Sequence, residues 1–272
     1  MTVFPPCKVN IGLQVISRRA DGFHEIATVF YPLPLCDVLE IVSAPEGASA
    51  LHLSGNPVPG DPDDNLCMKA YRMLRKDYPG LPEVDLYLHK VIPTGAGLGG
   101  GSSDAAATLS VLNDRYALGV TDAALADYAS RLGSDCAFFL QQRPCYATGR
   151  GEELHPVTLE DLGGYHFVLV CPPIQVSTPW AYSQVEPRRP ERPLPELLGE
   201  PVEHWKAGVV NDFEKPVFAR YPVLADIVRE LYRQGACYAS MSGSGAALFG
   251  IFPPGALSLN EEGFRPCSVF RF

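Results

Sequence analysis

The chain has little to offer a nucleic acid or a lipid bilayer. Lys and Arg number 22 against 31 Asp and Glu, a formal net charge of -9, and a field of that sign repels a phosphate backbone. No run comes near the ~20 consecutive apolar residues that a membrane-spanning helix takes. Residues 1–10, with Pro5, Pro6 and Lys8 among them, lack the basic-then-apolar order of a secretory leader. The expectations are a soluble, cytoplasmic protein with neither a nucleic-acid nor a membrane partner. Metal-ligand spacing is missing too: the eight cysteines are scattered, with no C-x-x-C pair and no histidine at ligand spacing, so they read as reduced, buried thiols. Cys7 and Cys136 sit beside catalytic candidates and are expected to be where thiol reagents inactivate. No Gly-Lys-Ser/Thr closes a phosphate loop, the spacing of a dinucleotide fingerprint is absent, and no internal repeat is visible.

What is present is apolar material, 46% of 272 residues, enough for one large core or two modest ones. Val84, Leu86 and Leu88 alternate with Asp85 and Tyr87 up to Lys90, the period of a half-buried strand that ends at Pro93. A glycine loop follows, then Ser102-Ser103-Asp104 and AAATLSVL, which read as a helix N-cap and good helix formers. Leu66, Ala70, Met73 and Leu74 recur at helical spacing behind Asp63-Asp64-Asn65, and a further helix opens at Thr121 or Asp122 and stops at Gly133. Residues 167–170 form an apolar run, 224–234 a helix-like stretch, and 238–252 a strand, a glycine turn and a strand. The 26 prolines concentrate in 186–201, where missing N–H groups and fixed φ predict a loop. Strands and helices mix without a strict βαβ rhythm, which gives α+β. A boundary near residue 155 divides the chain into domains at 1–155 and 156–272.

Three constellations carry chemistry. In PTGAGLGGGSSDAA at 93–106, glycines admit a ligand close to the backbone and the helix behind points free N–H groups and its positive end at it, an anion cradle. Ser102 or Ser103 can reach a phosphate oxygen or Mg²⁺; a plain structural turn is the alternative. Asp104 reads as a first-turn aspartate on the helix dipole rather than a metal ligand, and the metal ligands stay unassigned. In PPCKVNIGLQVISRRADGFHEI at 5–26, Lys8 and Asn10 share one face of a strand; a lysine snorkelling from a strand edge is the alternative. Phe23 and His24 lie in a polar, aromatic turn, and His24 alone equally suits a structural role. Gly133-Ser134-Asp135 before CAFFL is either a helix C-cap and turn or a carboxylate that faces Lys8. In the second case the pair can take a proton from a hydroxyl and hold the resulting charge. Anion cradle, carboxylate and cation together suit phosphoryl transfer.

Together these segments resemble the GHMP kinases. The stretch Pro93-Thr94-Gly95-Ala96-Gly97-Leu98-Gly99-Gly100-Gly101-Ser102-Ser103 is similar to that family's P-x-x-x-G-L-G-x-x-S-S loop, and Met241-Ser242-Gly243-Ser244-Gly245-Ala246 to its late glycine turn. The opening P-x-K-x-N with R-R-x-D-G-F-H behind it is similar to the branch that acts on a cytidyl-linked alcohol of the non-mevalonate isoprenoid route. The resemblance implies a ribosomal-protein-S5-like N-terminal half, a ferredoxin-like C-terminal half, and ATP with Mg²⁺. It implies Asp135 as base and Lys8 as its partner, with Asn10 near the reacting hydroxyl and the 93–103 loop on the phosphates. Asn65 and Leu66 would bound the adenosine. His24 would hydrogen-bond the cytosine, Tyr182, after the Thr178-Pro179 step, would stack on it, and Phe30 and Phe23 would line that pocket. Phe23 stands where Tyr is common, so any hydroxyl contact is lost there. The competing expectations are a kinase of homoserine, mevalonate or a sugar, and a silent sensor of ATP and a metabolite. The oligomeric state is left open.

Overall fold

The computed structural model describes residues 1–44, 47–159, 162–255 and 257–272. The chain forms two compact units, one of Met1–Lys8, Pro32–Thr94 and Gly99–Gln142, the other of Val9–Tyr31, Gly95–Leu98 and Arg143–Phe272. Its strands are β1 (Thr2–Val3), β2 (Pro6–Arg18), β3 (His24–Cys36), β4 (Val38–Ser43), β5 (Ala50–Gly55), β6 (Val84–Lys90), β7 (Cys145–Thr148), β8 (Glu153–Pro156), β9 (His166–Cys171), β10 (Tyr238–Met241), β11 (Leu248–Phe252) and β12 (Ser268–Arg271). Its helices are α1 (Leu66–Asp77), α2 (Gly100–Arg115), α3 (Asp122–Leu132), α4 (Cys136–Gln141), α5 (Thr178–Gln184), α6 (Leu194–Leu198), α7 (Glu214–Arg220) and α8 (Pro222–Arg233). Helices and strands mix as the α+β expectation requires.

In the first unit the sheet runs β1-β4-β6-β5, with β5 parallel to β6 and the other pairs antiparallel. The alternation in β6 is realised: Val84, Leu86 and Leu88 are buried and Tyr87 is exposed. The Asn65 side chain accepts from the Cys67 amide and starts α1; Thr121 accepts from Ala124 and starts α3, which stops at Gly133. One expectation needs correcting. The N-cap of α2 is Gly99, at φ +71° and without a side-chain cap, so Ser102 and Ser103 lie inside the helix and Asp104 is its fifth residue. A left-handed glycine ends the loop early, and the helix begins before the serines.

In the second unit β10-β11-β9-β12 form an antiparallel sheet. Leu224, Ile227 and Leu231 of α8 share a core with Val168, Val170, Met241 and Leu248. Residues 9–18 and 24–31 form a hairpin whose turn is closed by the Arg19 amide on the Phe23 carbonyl, continued by β7 and β8. The proline-rich 186–201 stretch is loop apart from the five residues of α6. It is tied to β2 by the Arg188 amide on Val15 and lines a cavity of about 490 Å³ with Gln14 and Asp212. All eight cysteines are free as expected, but Cys36, Cys237 and Cys267 are only half-buried.

The turn between β10 and β11 is held from below by Asn211. Its Nδ2 donates to the Met241 and Gly243 carbonyls at 2.7 and 2.8 Å, and its Oδ1 accepts from the Phe213 amide at 3.0 Å. Each buried backbone group left unpaired costs about 1–3 kcal/mol. Asn211→Ala is therefore expected to lower the unfolding free energy by about 3 kcal/mol or more in urea titrations followed by circular dichroism. A loss under about 1 kcal/mol would contradict this role.

Candidate active site

Four of the five glycines at 95–101 stand where a side chain would strain the backbone or meet its neighbours; Gly101 alone has space for one. Gly95, Gly97 and Gly99 have φ of +72°, +80° and +71°, where a side chain strains the backbone. In the first unit, a Cβ on Gly99 would meet Phe139 Cζ at 2.8 Å and Lys8 Cε at 3.2 Å, and one on Gly100 would meet Ile92 Cγ2 at 2.9 Å. Within the second unit, a Cβ on Gly97 would lie 2.2 Å from the Ser242 carbonyl oxygen. Ser242 Oγ donates to the Gly97 carbonyl at 2.9 Å and accepts from the Asn10 amide at 3.2 Å, and the Ala247 amide donates to the Ala96 carbonyl at 3.1 Å. The late glycine turn and the Asn10 strand thus clamp 95–98. Asn10 Nδ2 donates to Thr28 Oγ1 at 2.9 Å.

Lys8 and Asp135 meet. Lys8 Nζ lies 3.4 Å from Asp135 Oδ2, the lysine side chain 4% exposed and the aspartate 32%. The lysine is brought inward by β2 and roofed by Gly99, while Asp135 stands as the N-cap of α4 without capping it. The strand-edge reading of Lys8 and the plain-turn reading of Asp135 both give way to a partly buried ion pair next to the loop. One carboxylate oxygen has an ammonium beside it while solvent still reaches the group, a geometry that can accept a proton and hold the charge.

Asp104 is neither a dipole partner nor a surface group. Lys90 Nζ donates to Asp104 Oδ2 at 2.6 Å and to Asp37 Oδ2, and all three residues are buried. Burial pushes the Asp104 carboxyl up, Lys90 opposes this and Asp37 adds to it, leaving it at about 7. Burial pulls Lys90 down, but Asp104 and Asp37 outweigh it and the ammonium ends above its ordinary value. The alternation of Val84, Leu86 and Leu88 continues to Lys90, and a charge on that buried face is a signal the sequence holds; nothing in it marks Asp37. Cys7 and Cys136 are fully buried, and burial pushes the Cys136 thiol up to about 11. Neither meets the requirement of an accessible thiolate, which runs against inactivation by thiol reagents at these two positions.

Asn65 and Leu66 line a pocket of about 200 Å³ with Leu53, Val58, Pro62 and Gly101, which places the start of α1 beside the loop that enters α2. In the second unit His24 stacks on Tyr182, centroids 4.8 Å apart and 19° between planes, and Phe213 meets Tyr182 edge-on at 4.8 Å. His24 Nε2 is buried with no hydrogen-bond partner among the described residues, and burial, then Arg18, lowers the imidazole pKa. Thr178 Oγ1 lies 2.8 Å from Ser244 Oγ of the late glycine turn. Phe23 is 53% exposed, with the Arg150 guanidinium 4.9 Å from its ring centre. Phe30 is buried on β3.

Comparison with known proteins gives these contacts a family. Residues 65–143 match the description "GHMP kinases N terminal domain" and residues 194–259 match "GHMP kinases C terminal". The chain is 48% identical over 256 residues, 93% of either chain, to the 4-diphosphocytidyl-2-C-methyl-D-erythritol kinase of Bacteroides fragilis (strain YCH46). A crystal structure of 4-(cytidine 5'-diphospho)-2C-methyl-D-erythritol kinase superposes with a TM-score of 0.78 at 36% identity, covering 92% of this chain and 90% of that one. Methanococcus jannaschii mevalonate kinase superposes with a TM-score of 0.69 at 14% identity, covering 100% and 97%, and shares the fold. This chain belongs to the GHMP kinase family.

Proposed function

We propose that this chain transfers the γ-phosphoryl group of ATP to the 2-hydroxyl of 4-diphosphocytidyl-2-C-methyl-D-erythritol, a step in non-mevalonate isoprenoid precursor synthesis. The observation that carries the reading is the Lys8–Asp135 contact beside the glycine loop. The high identity to kinases of that name over nearly the whole chain supports the choice of acceptor.

The loop amides and the first turn of α2 supply donors for the β- and γ-phosphates, which lets a protein with a net charge of -9 hold a triphosphate without a basic surface. Asp135 takes the proton of the acceptor hydroxyl as its oxygen bonds to the γ-phosphorus. The bond from that phosphorus to the β–γ bridging oxygen breaks, and ADP leaves with the electron pair. Lys8, 3.4 Å from Asp135, faces the negative charge that forms on the attacking oxygen. Asn10, held by Ser242 and Thr28, orients the alcohol. Asn65 and Leu66 bound the adenosine.

Mg²⁺ fits this site as an ion that arrives with the nucleotide. Among the described residues no group of three or more His, Cys, Asp or Glu is placed to hold a metal, while Ser103 Oγ is buried without a hydrogen-bond partner. Mg²⁺ keeps several waters and takes few protein ligands beside phosphate oxygens, so the Ser102 and Ser103 hydroxyls suffice on the protein side. Once bound, the ion neutralises charge on the β- and γ-phosphates.

For the cytosine, the unpaired His24 Nε2 supplies an edge contact and Tyr182 a face. Because the two rings already cover each other, the base replaces their contact instead of adding to it. Thr178, Phe23 and Phe30 complete this end of the proposed pocket.

ATP consumption measured against the cytidyl-methylerythritol alcohol, homoserine, mevalonate and galactose is expected to respond to the first alone; turnover of another acceptor at a comparable rate overturns the assignment. Asp135→Asn is expected to cut kcat by about a hundredfold or more while ATP binding changes by less than about threefold. An unaltered rate would remove Asp135 as base. His24→Ala with Tyr182→Ala is expected to raise the KM for the cytidyl alcohol about tenfold or more and leave that for ATP within about twofold. Equal effects on both substrates would reject this division of the site.

A further inference from the structure

The glycine loop enters from β6 and leaves into α2, and a single ammonium bonds to both sides of it. Lys90 is the last residue of β6. Its Nζ donates to Asp37, in the link between β3 and β4, and to Asp104 on α2, the latter at 2.6 Å. Asp37 Oδ1 accepts from the Val91 and Ile92 amides at 2.6 and 2.8 Å, so it grips the two residues that lead into the loop. Asp104 stands on the helix that follows and ties it to Lys90. Between them Gly100 is closely covered: a Cβ there would lie 2.9 Å from Ile92 Cγ2 and 3.3 Å from Lys90 Nζ. All of these groups belong to the first unit.

We infer that Asp37, Lys90 and Asp104 are positioning residues for the nucleotide: through hydrogen bonds of fixed direction they set the spacing between loop entry and loop exit, so that the first amides of α2 are aimed before the phosphates arrive. The inference rests on reading residues 93–103 as the ATP cradle. Two carboxylates facing one ammonium in a solvent-free place make a poor device for stability alone, because apolar side chains of similar volume often do as well. Nor does the surplus negative charge attract phosphate. What such a cluster provides and an apolar one does not is direction: Asp37 accepts from the Val91 and Ile92 amides before the loop, and Lys90 reaches Asp104 on the helix after it. Preorganised amides bind an anion without the cost of ordering a loop of five glycines.

Titration of the full chain with AMPPNP and Mg²⁺ by calorimetry tests this without the acceptor alcohol, so a wrong acceptor leaves the test intact. Wild-type protein that fails to bind AMPPNP would instead sink the nucleotide reading on which the inference stands, and the inference with it. Asp104→Ala is expected to weaken AMPPNP about tenfold or more while the KM for the alcohol stays within about twofold, and Asp104→Asn, which keeps an acceptor for Lys90, is expected to recover most of the loss. A purely structural role would lower the melting temperature of Asp104→Ala and leave the affinity of the folded protein unchanged, which overturns the inference. Equal weakening in the alanine and asparagine variants would also overturn it, since charge would then matter and direction would not. Should Asp104→Ala fail to fold, amide hydrogen exchange of the wild-type chain decides. Residues 98–103 are expected to be protected at least about tenfold before AMPPNP is added, and an unprotected loop overturns the inference.

Discussion

A lysine ammonium taken out of water must be paired, and its partner must be held where the lysine already is. In this chain Lys8 is that lysine and Asp135 that partner, and much of the first unit follows from the requirement. The strand that carries Lys8 inward, the glycine at 99 that leaves space over its stem, and the short helix that begins at Asp135 are three local solutions to one problem. Catalysis of proton transfer would use the same arrangement, because the aspartate is left about one-third exposed while the lysine is sealed. One member of the pair can meet a substrate while the other stays beside it as a counter-charge.

The first unit holds a second lysine–carboxylate cluster of opposite character. Lys90 with Asp37 and Asp104 is closed to solvent, carries one carboxylate more than it has ammonium groups, and directs its hydrogen bonds to the segments on either side of the loop. Exposure separates the two clusters: a group that exchanges protons with a substrate has to be reachable, and a group that fixes a backbone is better unreachable. Binding of anions by a strongly acidic chain is compatible with both. Main-chain N–H groups and a helix end attract phosphate locally, over distances at which the net charge of the whole surface is screened.

Glycine is used here as a shape, with flexibility as a by-product. At 97 and 100, as at 99, the missing side chain is occupied by another part of the protein: the Ser242 carbonyl, Ile92 with Lys90, and Lys8 with Phe139. This makes the loop a packed element, and it explains why the late glycine turn at 241–247 takes part in holding residues 95–98.

Much of this was legible in the sequence. Period-two alternation marks β6, and side-chain caps mark the starts of α1 and α3. The pairing of Lys8 with Asp135 was readable only as an alternative to two bland roles, and the family motifs tipped the balance. The start of α2 was misjudged because cap chemistry favours serine, whereas a left-handed glycine had already ended the loop. Asp37, Asn211, the partners of Lys90 and the rise of the Cys136 thiol pKa were out of reach, since each depends on burial and on partners far away along the chain. Patterning, capping and glycine content act through neighbours within a few residues, so the sequence by itself determined most of the elements and where the glycine loop lies between them. Which buried charges face one another is set by long-range packing, and only the tertiary structure decided that.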